Sequence, residues 1–365
     1  MSQSNSLLDR PLIRMPRFGQ GRWLNTEHPP TRASLRGQVV LVDFWDYACI
    51  NCIRTLPYLN AWHKRYREKG LAIVGVHAPE FAFGRLEGQV EAAIAEFEVP
   101  YPVLLDNEYE TWDRYANKAW PSKHLVDAEG YVRLRRRGEG HYREVEQGIQ
   151  ALLQRQRPGI ELPELLPPLR ETDRPGAVCY RPTPELYAGY RGGGLYGGAL
   201  GDEAGYAPEG PVAYTLPGPF DLEEGYFYLA GFWQARPEAL VFAGREVGRV
   251  VVPYSAAGLN AVLSPSADPI EVVLGLRPGG GDPLVEVRLD DRPLAPAEAG
   301  EDVHFEGERA LVRVTRPRLY RLTRHGNFGE HQVELILRTP GVALYTFTFL
   351  SCVAPDGADD VFRMG

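Results

Sequence analysis

The sequence predicts an α/β domain followed by an all-β sandwich. Three observations carry that prediction. Short apolar runs alternate with helix-spaced segments up to residue 156. Prolines then crowd residues 157–185. Strands without helices fill residues 186–365.

Residues 1–36 read as an irregular segment packing on the domain that follows, because Pro11, Pro16, Pro29 and Pro30 break any period. From Gly37 the pattern sharpens. Val39–Trp45 is an apolar, β-branched run, as in a strand buried on both faces. After Cys49, the residues Ile53, Leu56, Leu59 and Trp62 recur at helix spacing, and Lys69-Gly70 closes the pattern. Residues 71–76 form a second buried strand and 86–98 a helix. A strand at 102–106 and a short helix at 108–115 follow. Residues 123–127 and 131–134 form a hairpin, and 142–155 the last helix. Strands alternating with helices imply βαβ units and a mixed sheet.

Prolines at 158, 163, 167, 168, 175, 182 and 184 make 157–185 a stiff linker. Strands are then expected at 226–233, 249–254, 270–276, 285–289, 310–315, 332–338 and 343–349. Their alternation and the Pro/Gly/Asp turns between them suggest a sandwich. The glycine-rich run 191–198 lacks the GK[ST] of a phosphate cradle.

Apolar residues make up 44% of the 365 and charged residues 24%, as in folded globular protein. A net charge of −8 argues against nucleic acid as a partner, since phosphate binding needs clustered cations. The basic run Arg133–Arg137 reads as an exposed strand edge. No run is long and apolar enough for a membrane span, and no apolar leader follows the N-terminus, so the cytoplasm is the expected compartment. Four cysteines are too few for a disulfide-built scaffold. Cys179 and Cys352 are expected as two buried thiols, with a structural disulfide as the alternative.

Cys49-Ile50-Asn51-Cys52 carries the chemistry. A zinc site would need a second ligand pair, and none is spaced for it, so no metal is expected. A thiol at a helix N-terminus faces unpaired N–H groups and the positive end of the dipole, which should lower the Cys49 pKa. Cys49 would attack a disulfide and Cys52, one turn in, would resolve the mixed disulfide. No cofactor beyond this redox-active pair is expected.

Val42-Asp43-Phe44-Trp45-Asp46-Tyr47-Ala48-Cys49-Ile50-Asn51-Cys52, together with Ala119-Trp120-Pro121-Ser122, resembles the active-site strand and cis-proline loop of the thioredoxin superfamily. The phrase Cys-Ile-Asn-Cys-Ile-Arg-Thr-Leu-Pro is similar to the extracytoplasmic TlpA-like and DipZ-type branch. The resemblance covers residues 37 to about 155 and implies a thioredoxin fold. It implies Cys49 as nucleophile, Cys52 as resolving thiol, Asp43 as the buried acid beneath Cys52, and Pro121 as the cis-proline. It implies Trp120, Trp45, Tyr47 and Ser122 as the substrate-binding set, with Trp120 offering its backbone to an extended peptide. Partners would be a protein disulfide or dithiol and an external reductant. An extracytoplasmic location is the alternative it raises. Ile50-Asn51 stands where thioredoxin has Gly-Pro, so the family's potential does not transfer.

Two other readings stay open. A peroxiredoxin-like antioxidant would share the fold, but it places Thr or Ser where this chain has Asp46. A non-enzymatic recognition protein or redox sensor would work through the β-sandwich, which is similar in pattern to jelly-roll carbohydrate-binding modules. There Tyr226, Tyr228, Trp233, Tyr254 and Tyr345 could stack on a carbohydrate, face a protein ligand or simply fill the core. His325–His331 reads as a polar turn, with a metal there as a weak expectation.

Overall fold

The computed structural model describes Leu8 and residues 12–191, 199–203, 205–208, 210–218, 221–277 and 280–354. The chain divides into two compact units, Met1–Leu169 and Arg170–Gly365.

The first unit is built on a seven-stranded mixed sheet. In chain order its strands are β1 (Ile13–Arg14), β2 (Trp23–Leu24), β3 (Val39–Trp45), β4 (Leu71–His77), β5 (Val103–Leu105), β6 (Ser122–Val126) and β7 (Tyr131–Arg137). In space they run β1-β7-β6-β3-β4-β5-β2. β3, β4 and β5 are parallel, and β6 and β7 return antiparallel. β1 and β2, from the segment expected to be irregular, pair onto the two edges of the sheet. The helices are α1 (Ile50–Tyr66), α2 (Glu87–Glu96), α3 (Glu110–Arg114) and α4 (Tyr142–Gln156). This is the thioredoxin-like architecture expected from the sequence.

Every residue of β3 is buried, as its unbroken apolar run requires. Val40, Val42 and Phe44 pack with Val74, Val76, Tyr115 and Val126 on one face. Side chains alternate along a strand, so Leu41, Asp43 and Trp45 point to the other. α1 buries Leu56, Leu59, Trp62 and Tyr66. Gly70 closes the following 3-10 turn at φ 105°, where a side chain would be strained.

The proline-rich segment does not leave this unit at once. Lys69 Nζ donates to Glu161 O at 2.9 Å, and Gln150 Nε2 to Pro163 O at 2.7 Å. The Leu166 amide donates to Glu146 Oε2 at 2.9 Å and the Leu169 amide to Tyr58 Oη at 2.8 Å.

Among its described residues the second unit is β-strands with one short α-helix and two 3-10 turns. Its strands are β8 (Val178–Cys179), β9 (Leu186–Tyr187), β10 (Val212–Tyr214), β11 (Tyr228–Ala235), β12 (Leu240–Phe242), β13 (Gly248–Ser264) and β14 (Leu284–Leu289). They continue with β15 (Arg292–Pro293), β16 (Val303–Glu306), β17 (Arg309–Arg313), β18 (Arg318–Leu337), β19 (Ala343–Phe349) and β20 (Cys352–Val353). The long strands β13 and β18 pair along their length through two irregularities. β13 also pairs with β11 near its start and β19 near its end, so the strands wrap one apolar core.

Several expectations are corrected here. Residues 270–276 are not a strand. Asp268 caps Ile270 N, Pro269 fills the first turn and Gly275 ends it in αL, making the helix α5 (Pro269–Leu274). His325–His331 is not a free turn but an irregular stretch inside β18. There His331 Nδ1 meets Asp290 and His325 Nε2 meets Tyr254 Oη, and no metal-ligand cluster forms among the described residues. Trp233, Tyr254 and Tyr345 are buried in the core, and Tyr228, though largely buried, still lines a cleft. Tyr226 is exposed and lines a cleft of about 740 Å³ with Asp202, Tyr214, Asp221 and Glu223. Cys179 and Cys352 are not buried thiols. They sit opposite one another on β8 and β20 and form a disulfide, because antiparallel pairing brings the two ends of the unit together. Of the glycine-rich run 191–198, residues 192–198 lie outside the described residues.

Candidate active site

The site forms where β3 hands over to α1. Cys49 is the N-cap of α1, and its sulfur accepts from Cys52 N at 3.2 Å. Both cysteines are free thiols, with the Cys52 and Cys49 sulfurs 2.6 Å apart. Cys49 is partly exposed and Cys52 buried, so only the first sulfur is presented outward. The helix start places one thiol at the surface and the other one turn inside.

The expected lowering of the Cys49 pKa does not hold. Burial pushes the thiol up, as do the Glu80 and Asp46 charges, while hydrogen bonds from Cys52 pull it down. Cys52 is raised well above the ordinary thiol range by burial, by its bond to Cys49 and by the charges of Cys49 and Asp43. Both sulfurs therefore rest as thiols near neutrality, and Cys52 needs a base to ionise.

Asp43 is 1% exposed, and neither carboxylate oxygen has a hydrogen-bond partner among the described residues. Burial lifts its pKa to about 7, against the pull of the Lys123 ammonium. Lys123 stands opposite Asp43 in the β3–β6 register and is itself buried. Its Nζ donates to Gly138 O at 3.0 Å and lies 5.8 Å from the centre of the Tyr142 ring. The sequence reading missed this lysine, because a lone Lys in Ser-Lys-His-Leu-Val looks like any surface cation. Its strand position, two residues after Pro121 on the β3 neighbour, was the available signal.

The Trp120–Pro121 peptide is cis, as the resemblance implied. Trp120 is partly exposed; its Nε1 donates to Ala78 O at 2.9 Å, and its ring lies 4.3 Å from that of Trp112. The other three residues expected to touch substrate are buried. Trp45 packs edge-on to His77, Tyr47 stacks along His77, and Ser122 Oγ meets His124 Nε2 at 3.3 Å. In this structure their side chains pack inside the domain rather than at its surface.

Asp46 occupies the position where a peroxidase would hold peroxide with a hydroxyl. It is fully buried, and its oxygens accept from Ala48 N at 2.6 Å and Glu80 N at 2.9 Å. An anion with both oxygens engaged leaves no such donor.

Parts of the chain are similar to known proteins. Residues 22–135 match the AhpC/TSA family, and residues 183–349 match the family described as thioredoxin like C-terminal domain. Protein DipZ of Mycobacterium bovis is 40% identical over 219 residues, which cover 58% of this chain and 29% of that protein. The chain thus spans less than a third of the DipZ length. NHL repeat-containing protein 2 of Homo sapiens is 33% identical over 132 residues, 35% of this chain and 18% of that protein. Thiol-disulfide oxidoreductase ResA of Bacillus cereus is 29% identical over 98 residues, 27% of this chain and 54% of that protein. Among solved structures, a thiol-disulfide isomerase from Corynebacterium glutamicum aligns with a TM-score of 0.34 at 24% identity, covering 40% of this chain and 97% of that one.

Proposed function

We propose that the chain is a thiol-disulfide oxidoreductase that passes electrons from Cys49–Cys52 to a protein disulfide. One observation carries this reading: two free thiols, one at the surface and one buried 2.6 Å behind it, backed by the buried acid Asp43. Cys49, once ionised, attacks a substrate sulfur; a mixed disulfide forms and one substrate thiolate leaves. Asp43 takes the Cys52 proton, and Cys52 attacks the Cys49 sulfur. The second substrate thiolate leaves, and the Cys49–Cys52 disulfide closes. Two electrons have passed to the substrate, and the released thiolates take up the two protons. An external dithiol then reopens the pair. Trp120, beside Pro121, is the residue at the rim that an extended substrate segment would touch.

The location that fits best is outside the cytoplasm. The Cys179–Cys352 disulfide supports it, since such bonds persist in oxidising compartments, and so does the likeness to DipZ.

The test is reduction of insulin disulfides by dithiothreitol with wild type, Cys49→Ser and Cys52→Ser. The reading predicts that Cys49→Ser falls to the uncatalysed rate and that Cys52→Ser accumulates a mixed disulfide on Cys49. Equal rates for wild type and Cys49→Ser would contradict it.

A further inference from the structure

Asp46 takes no part in the exchange steps, yet it ties together the loops that present the dithiol. Its carboxylate caps Ala48 N and Glu80 N, joining the end of β3 to the loop after β4. Its carbonyl accepts from Cys49 N at 3.3 Å, and its backbone also bonds the Cys52 thiol. The fold makes room for it: a Cβ on Gly84 would meet Asp46 Oδ2 at 3.2 Å and Pro79 at 2.9 Å.

The surroundings leave this charge uncompensated. The nearest basic side chain is His77, with Nε2 at 3.6 Å and no exposure. Burial holds that imidazole neutral, with a pKa of about 3. No lysine or arginine pairs with Asp46 among the described residues. Burial first, and then the Glu80 charge from the loop after β4, lift the Asp46 pKa to about 7 against the amide bonds from Glu80 and Ala48, so Asp46 carries its charge on the alkaline side of neutrality. The thiols of α1 face the same pocket, with Asp43 and Lys123 behind Cys52.

We propose that Asp46 is a positioning residue whose buried charge, reinforced by Glu80, opposes the Cys49 thiolate and so biases the Cys49–Cys52 couple toward donating electrons. This rests on the exchange reading above. The physical reason is that a couple whose reduced form is stabilised is the stronger oxidant. A carboxylate beside the thiolate destabilises the reduced form and drives the couple the other way. Burial first, and after it the Glu80 and Asp46 charges, keep this thiol at a helix N-terminus from resting ionised.

The experiment equilibrates the full chain with glutathione. One dithiol and one glutathione disulfide give the Cys49–Cys52 disulfide and two glutathione thiols, two electrons and two protons passing. Alkylation and peptide mass spectrometry read the ratio, apart from the Cys179–Cys352 bond. The variants are Asp46→Asn, Asp46→Thr and Glu80→Gln. The last keeps the Glu80 amide bond to Asp46 and removes the reinforcing charge. Iodoacetamide labelling of Cys49 against pH, in a Cys52→Ser background, reads the thiolate directly. Both Asp46 variants are expected to shift the equilibrium at least tenfold toward dithiol, which is about 30 mV for a two-electron couple. Glu80→Gln should move the same way, and Cys49 labelling should shift to lower pH in all three. Folded variants with unchanged equilibria and unmoved labelling would overturn the proposal and leave Asp46 a loop support only. If neither Asp46 variant folds, an unmoved Glu80→Gln overturns it. A wild type that never equilibrates with glutathione would instead overturn the exchange reading itself.

Discussion

In the proposed mechanism, one proton on Asp43 sets the pace of the resolving step. Held at about pH 7, this carboxylate changes charge in the range where the protein would work. Resolution needs the ionised form, so its rate should rise with pH through about 7. In Asp43→Asn that inflection should vanish, and resolution near pH 8 should slow roughly 10²-fold, a typical contribution of a placed general base. Quenched-flow trapping of the mixed disulfide checks both. The same residue predicts a stability signature. A carboxylate whose folded pKa lies above its unfolded value binds protons more tightly when folded, so its contribution falls as pH rises from about 4 to about 7. Asp43→Asn should therefore gain stability relative to wild type as pH rises from 5 to 8, measured by urea unfolding. Cys49 and Cys52 were legible from their spacing, whereas Asp43 and Pro121 were singled out by the family resemblance, and the structure makes the first buried and the second cis. Lys123 was not, because its relation to Asp43 exists only once β6 lies beside β3.

At the scale of elements, the network between α1 and α4 holds the helix that carries the dithiol. Tyr66 Oη donates to Glu146 Oε1 at 2.7 Å, and Glu146 Oε2 accepts from Leu166 N at 2.9 Å. One buried carboxylate thus joins α1, α4 and the proline-rich segment. Glu146→Ala leaves two donors without their anion and should cost about 2–4 kcal/mol, by the magnitudes for hydrogen bonds to charged groups and for unsatisfied donors. Thermal or urea unfolding measures it. From residue 37 on, the elements of the first unit were legible because unbroken apolar runs give way to helix spacing; β1 and β2, two residues each, were too short to show a pattern. Those of the second were harder. Ile270–Leu276 has a strand's composition, but Asp268-Pro269 at one end and Gly275 at the other impose a helix. β13 and β18 pass through bulges, so His325–His331 breaks the alternation that would have marked it as strand.

Across the whole molecule, a redox unit and an all-β unit share one chain, and each closes on its own core. The composition shift after residue 156 marked the change of architecture. It did not reveal that residues up to 169 remain bonded to the first unit, since those bonds use backbone groups of a segment with no periodic pattern. The Cys179–Cys352 pairing was likewise illegible at a separation of 173 residues, because it depends on where β8 and β20 meet. With one cysteine pair closed and the other open, the two pairs serve different ends: one ties the second unit, the other exchanges.

The reduction potential of the wild-type Cys49–Cys52 pair tests that division most directly. Equilibration with dithiothreitol or glutathione, followed by alkylation and mass spectrometry, should show a reversible two-electron couple on these two cysteines alone. The potential should lie on the reducing side, toward the roughly −270 mV of thioredoxin rather than the roughly −120 mV of DsbA. A potential near −120 mV, about that of DsbA, would contradict the direction of electron flow argued here. No reversible pair at all would contradict the oxidoreductase itself.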